Sequence, residues 1–326
     1  MITFSPPSPP KYTIIPCERN SIRGNQYIKC NFIPKIFEEV EDDLNLTDSS
    51  TPKGQEERGY TFNPFPWISV ECFQIRKTDS KVKIVTLYIQ NISVPREHKN
   101  TIIYSHGNSS DLGSLYSSYI DLASQLKCDI IAYDYTGYGD SEGIPNEKDI
   151  YSDIEHVMDY ALAYKQLPLE KIILFGSSIG SVPSISIASS ARFCSIKGCI
   201  LVSPISSGSD LIKYSDKPVE GDADVLNNLS LAKEIMCPVF VIHGKVDKTI
   251  PIQQSYDLMK EMKNGSSWYP NKGTHSNITT LYRSKYYQKL KDFFKYVNNC
   301  YSKIIRKNFD TPDQSEIDST TIHLSC

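Results

Sequence analysis

Gly176-Ser177-Ser178-Ile179-Gly180 sets one serine midway between two glycines. The apolar run Ile172 to Phe175 comes before it, and the small-residue stretch Ser181 to Ser190 comes after. A serine on a sharp turn from buried strand to helix sits at the strand's carboxyl end, its hydroxyl free to attack a carbonyl. The glycines suit such a turn because neighbouring backbone passes where a Cβ would clash. Ser178 is therefore the candidate nucleophile. A serine needs a base, and the base needs an orienting acid. Where a serine rides such an elbow, the chain order is serine, then acid, then histidine. Of the six histidines, only His275 and His323 lie well beyond an acidic candidate that itself follows Ser178. His323 falls in a polar tail, which leaves His275 as candidate base. Asp247, just after the apolar run Val239 to Ile242, is the candidate acid, with Asp210, Asp222 and Asp224 as competitors.

The oxyanion formed by serine attack needs donors already aimed at it. One candidate is the backbone N–H of Ile179, the residue after the nucleophile. The second should come from the loop after an earlier strand. That strand reads Thr101 to Tyr104 and leads into Ser105-His106-Gly107-Asn108-Ser109. The N–H of Asn108 is the candidate, with Ser109 the alternative. His106 precedes the nucleophile in the chain, so it reads as a buried hydrogen-bonding post for this loop.

These residues need a frame. Ile68 to Arg76 and Lys81 to Gln90 alternate as a hairpin around Thr78-Asp79-Ser80. Strand and helix then alternate: 102–104, 115–126, 129–133, 147–164, 172–175, 179–191 and 199–202. Further strands are expected at 239–242 and around Trp268, with helices at 253–263 and 282–297. Continuous apolar strands between helices imply a parallel sheet, and such sheets bind ligands at the carboxyl ends of their strands. Every candidate residue falls at such an end. The class expected is α/β, with a mostly parallel central sheet and helices on both faces. The interval from Val202 to Pro238 is too short for a separate lid, so the cap is minimal, with helix expected somewhere in 222–234. Three segments follow: a Pro-rich lead-in and polar loop over 1–60, one catalytic domain over 61–300, and a polar tail over 301–326.

Composition narrows the class further. A net charge of −3 and a pI near 6.1 give no global reason to bind nucleic acid. No apolar run approaches the roughly 20 residues of a membrane-spanning helix. Met1 to Pro10 shows neither the basic nor the apolar region of a secretory signal. Nine cysteines fall without metal-type spacing, and Cys128, Cys199 and Cys237 read as small core residues. A reducing, cytoplasmic compartment is expected. The chemistry calls for no metal and no cofactor.

The quoted motifs, with their neighbours, resemble one family closely. Tyr104-Ser-His-Gly-Asn-Ser-Ser-Asp-Leu-Gly113, Tyr133-Asp-Tyr-Thr-Gly-Tyr-Gly139 and Ser141-Glu-Gly-Ile-Pro-Asn-Glu-Lys148 are similar to the α/β-hydrolase domain-containing 17 family. So are Leu174 to Pro183, Ser203 to Gly208, Ile242 to Asp247, and the proline-rich start Phe4 to Tyr12. The resemblance implies the α/β-hydrolase fold and a serine hydrolase that removes palmitate from protein cysteines. It implies nucleophile, acid and base on Ser178, Asp247 and His275. It also implies S-acylated proteins or other acyl esters as partners, with peripheral contact at the cytosolic face of membranes. The chain departs from the family in two places. The N-terminal cysteine cluster of animal members is not matched, since Cys17 and Cys30 stand isolated. The histidine loop carries Thr274 where the family has glycine, and Ser276-Asn277 where it has Asn-Asp.

Two rival readings remain at this level. The same triad serves a carboxylesterase or lysolipid lipase, and a silent hydrolase fold can act as a binding scaffold. A monomer is expected, and the 41–60 loop and the tail are expected to be dispensable.

Overall fold

The computed structural model describes residues 4–22, 26–35, 65–208 and 226–309. The chain divides into two compact units. The first comprises Met1–Thr3, Asn100–Gly107 and Met158–Cys326, and the second Phe4–Lys99 and Asn108–Val157.

The first unit is a parallel sheet. Its strands are β5 (Thr101–Ser105), β7 (Ile172–Ser177), β8 (Gly198–Val202), β9 (Val239–Ile242) and β10 (Gly265–Trp268). They lie side by side in that order, and every neighbouring pair is parallel. Ile172, Ile173 and Leu174 of β7 are wholly buried, as are Cys199, Ile200 and Leu201 of β8. Burial of such a side chain stabilises the fold by up to about 1.5–3 kcal/mol. Both faces of a central parallel strand are covered, so its sequence reads as an unbroken apolar run rather than an alternation. Helix α3 (Ser181–Ser189) packs on β5, β7 and β8. At Gly198 a Cβ would come within 3.1 Å of Phe293, so the glycine lets the long C-terminal helix lie close to β8.

The second unit is antiparallel. It holds β1 (Tyr12–Ile22), β2 (Tyr27–Pro34), β3 (Ile68–Arg76), β4 (Lys83–Asn91) and β6 (Asp129–Tyr133), paired in that order. Helix α1 (Tyr116–Leu126) packs on β3, β4 and β6. Helix α2 begins at Glu147 and ends at Asp159, followed by a single wide π turn over Tyr160–Tyr164.

The remaining helices are α4 (Asn228–Ala232), α5 (Gln253–Glu261), α6 (Ile278–Leu281) and α7 (Arg283–Phe309). Two elements differ from the sequence reading. Part of the 1–60 lead-in forms β1 and β2, whose ladder with β3 runs through Cys30 opposite Cys72. The polar residues of Glu18 to Ser21 hide that strand from a periodicity reading, and a register shift between Pro16 and Ser21 interrupts it. The last helix also passes the expected domain end and runs to Phe309. Asp210, Asp222, Asp224 and His323 lie outside the described residues, as does the whole 41–60 loop.

Candidate active site

Ser178 stands directly after β7 in a tight 3-10 turn, Ser178–Gly180, that opens into α3. Its φ is +54°, in the left-handed region that a non-glycine residue enters at a cost of order 1–3 kcal/mol. The surroundings hold it there. Ser181 Oγ donates to Ser178 C=O at 2.6 Å and accepts the Ile205 N–H at 3.0 Å. A Cβ on Gly180 would lie 2.0 Å from the Ser105 carbonyl oxygen, and one on Gly176 would lie 2.4 Å from Gly180 C=O. Both are backbone atoms, so only glycine lets β5 and the turn come this close. Ile179 occupies the first turn of this helical segment, where backbone N–H groups have no intrahelical partner.

Asp247 and His275 come from two neighbouring strand ends. β9 and β10 are parallel, and their ladder continues into the loops beyond them. His243 N–H donates to Trp268 C=O at 3.2 Å, Lys245 N–H to Pro270 C=O at 3.0 Å, and Val246 N–H to Gly273 C=O at 3.0 Å. A Cβ on Gly244 would sit 2.1 Å from the Gly273 oxygen, so this approach of two loops requires glycine. Thr274 N–H donates to the Asn277 side chain at 2.7 Å, which turns the chain after Gly273. The result is a hydrogen bond of 2.8 Å between His275 Nδ1 and Asp247 Oδ2. The Asp247 side chain is fully buried, while that of His275 is 26% exposed.

Asp247 has more donors than a solvated turn residue would. Its Oδ1 accepts the N–H groups of Thr249 at 2.8 Å and Ile250 at 2.9 Å. Its Oδ2 accepts from His275 and also lies 3.3 Å from Nε2 of His243. Burial pushes the Asp247 carboxyl up, but hydrogen bonds from His243, His275 and the Ile250 N–H outweigh it. The carboxyl is held well below the usual carboxylate range. A buried carboxylate that stays ionised fixes the tautomer of a partner imidazole and stabilises its protonated form.

Of the residues picked from sequence, Asp247 and His275 are joined directly, both in the unit that carries Ser178 on its elbow. Among the described residues no hydrogen bond links Ser178 to the imidazole, and such bonds often tighten only once substrate is bound. Ile179 lies beside Ser178 and is buried. Asn108 belongs to the second unit, where its Oδ1 accepts from Tyr138 Oη at 2.6 Å and from Ser5 N–H at 3.3 Å. His106 is buried with Nδ1 2.8 Å from Gly107 oxygen, consistent with a post for its own loop. Sequence reasoning passed over His243, Gly244 and Gly273. Gly244, two residues after the apolar run Pro238-Val-Phe-Val-Ile242, was visible, but its partner across the loops was not. Among the described residues no cluster of side chains has a metal-site arrangement, and no helix is long and apolar enough to cross a membrane.

Residues 100–234 match the family described as the alpha/beta hydrolase fold. The human alpha/beta hydrolase domain-containing protein 17B is 34% identical over 225 residues, covering 69% of this chain and 75% of that protein. The Caenorhabditis elegans alpha/beta hydrolase domain-containing protein aho-3 is 30% identical over 68% of this chain and 65% of its own length. Among solved structures, the Pyrococcus furiosus esterase Pf2001 superposes with a TM-score of 0.59 at 18% identity, covering 70% of this chain and 93% of that one. Est1E from Butyrivibrio proteoclasticus, solved with ferulic acid, gives 0.56 at 18% identity over 68% and 97%. The fold is that of the α/β hydrolases, and the protein is a hydrolase. On its identity to 17B over two thirds of its length, the chain belongs to the α/β-hydrolase domain-containing 17 family.

Proposed function

We propose that the protein is a serine acyl hydrolase that removes palmitoyl groups from protein cysteines. The observation that carries the serine mechanism is the hydrogen bond from His275 to the buried Asp247, in the unit whose β7 ends on the strained Ser178. In this mechanism His275 takes the proton of Ser178 as its oxygen attacks the acyl carbonyl. Asp247 holds the proton on Nδ1, leaving Nε2 as the base, and stabilises the imidazolium. The N–H of Ile179, next to Ser178, is the proposed oxyanion donor. The tetrahedral intermediate collapses with departure of the thiolate, which His275 protonates. Water activated by the same imidazole then releases the fatty acid and returns Ser178 to its hydroxyl.

Family membership supports the thioester reading, and a thiolate leaves more readily than an alkoxide. The substrates are S-acylated proteins, met at the cytosolic face of membranes. The esterase neighbours keep a carboxylesterase with the same triad as the second reading.

The test is covalent labelling by a fluorophosphonate probe, run beside cleavage of an S-palmitoylated peptide and its O-palmitoyl serine counterpart. Wild type should label and cleave the thioester faster, and Ser178→Ala should do neither, with kcat lower by about 10⁶. Faster cleavage of the oxygen ester would move the assignment to a carboxylesterase. A folded wild type that never labels would favour the silent scaffold.

A further inference from the structure

We propose that His243 is a positioning residue of the catalytic acid, a second imidazole that holds Asp247 in line for His275. The proposal rests on the serine-hydrolase reading and adds to it a residue outside the triad. His243 follows β9 directly, is wholly buried, and never meets solvent. Its Nε2 lies 2.9 Å from Ile250 C=O and 3.3 Å from Asp247 Oδ2. Both partners only accept, so the ring proton must reside on Nε2. Nδ1 then presents a lone pair, and it lies 2.6 Å from Ser255 Oγ. Ser255, in the first turn of α5 and fully buried, therefore donates its hydroxyl proton to Nδ1.

These bonds form a closed arrangement. Ser255 fixes the tautomer of His243, and His243 donates toward Asp247 Oδ2, the same oxygen that receives His275. Ile250 closes the ring. Its N–H donates to Asp247 Oδ1, and its C=O accepts from His243. The carboxylate cannot rotate about its terminal torsion without breaking a bond at each oxygen. An imidazole fits this role better than an apolar side chain because it donates to the turn and the carboxylate from one atom. Were His243 only a filler of core volume, a side chain of similar size without a donor would serve as well.

The experiment compares wild type, His243→Leu and His243→Gln in hydrolysis of p-nitrophenyl butyrate. It also follows the downfield proton resonance expected for His275 Nδ1–H bonded to a carboxylate. His243→Leu should lower kcat by about 10- to 100-fold, the range for a lost hydrogen bond to a charged group, with KM nearly unchanged. Its downfield resonance should move upfield or broaden. His243→Gln, whose amide N–H reaches the place of Nε2, should recover most of the lost kcat. Should His243→Leu fail to fold, Ser255→Ala carries the test, because it removes only the hydroxyl behind Nδ1 and should shift the same resonance. Wild-type kcat and resonance in His243→Leu, or in Ser255→Ala where it stands in, would overturn the proposal and leave the triad intact. A wild type that neither hydrolyses the ester nor takes a fluorophosphonate would overturn the hydrolase reading, and this proposal with it.

Discussion

Asp247 and His275, 28 residues apart in sequence, meet at 2.8 Å because β9 and β10 lie parallel and their loops stay zipped beyond the last strand residue. The carboxylate is buried and the imidazole reaches toward solvent, the polarity a base needs if one nitrogen is to be fixed and the other left for substrate. Replacing Asp247 by Asn keeps the shape and removes the charge that fixes the tautomer. Asp247→Asn should fold and should lose kcat by about 10⁴, as in serine triads generally. Steady-state kinetics with circular dichroism as the folding check decides it.

Asp247 should also mark the acid stability of the protein. Its folded carboxyl is held low, so the unfolded state binds more protons as acid is added. The stabilisation is fully present above the unfolded value near ~3.9 and is lost as pH falls from there through the folded value. The slope is about 1.4 kcal/mol per pH unit at most. Urea unfolding from pH 5 to pH 3 should show wild type losing stability more steeply than Asp247→Asn. Equal slopes would contradict the assignment.

Lys197 gives the same sign of pH dependence from a basic group at higher pH. Its ammonium is nearly buried, donating to Asn100 Oδ1 at 2.9 Å and Asn298 Oδ1 at 2.7 Å. Burial, aided by the charge of Lys171, pushes it down to about 8. Between that value and the ordinary lysine value of ~10.4 the unfolded chain binds more protons, so stability should rise with pH across that window. Lys197→Met should flatten the rise, which unfolding curves from pH 7 to pH 10 would report.

The elbow carries strain that glycine would relieve. With φ at +54°, Ser178→Gly should be more stable than Ser178→Ala by about 1 kcal/mol, although both lack the Ser178 hydroxyl. Thermal unfolding of the two variants makes the comparison without substrate.

Gly244 lies where the Asp247 and His275 loops approach each other. A methyl group there would meet the Gly273 carbonyl at 2.1 Å, a backbone atom that cannot swing aside. Gly244→Ala should part the loops, lowering both the melting temperature and kcat. An active, fully stable Gly244→Ala would show that the loop approach is dispensable.

The sequence exposed those features whose physics is local. Ile172 to Phe175 and Val239 to Ile242 read as buried strands because both their faces are covered, and β7 and β9 contain them. Asp247 and His275 could be picked by chain order, since each follows a strand end. What remained hidden depends on partners distant in the chain. β1 and β2 gain their conformation from pairing out to β3 rather than from their own alternation. His243 looked like one more residue of the turn before Asp247, because Ser255 and the Ile250 carbonyl approach it only after folding. Gly244 and Gly273 are small for each other's sake, 29 residues apart.

The central claim is that Ser178 is acylated during turnover. Wild type mixed with an S-palmitoylated peptide, quenched in acid within the first turnovers and digested, can be read by mass spectrometry. A palmitoyl group on Ser178, absent from Ser178→Ala and accumulating in His275→Ala far more slowly than in wild type, is the predicted result. Thioester cleavage at an undiminished rate by Ser178→Ala, or a palmitoyl group found on another residue, would contradict it.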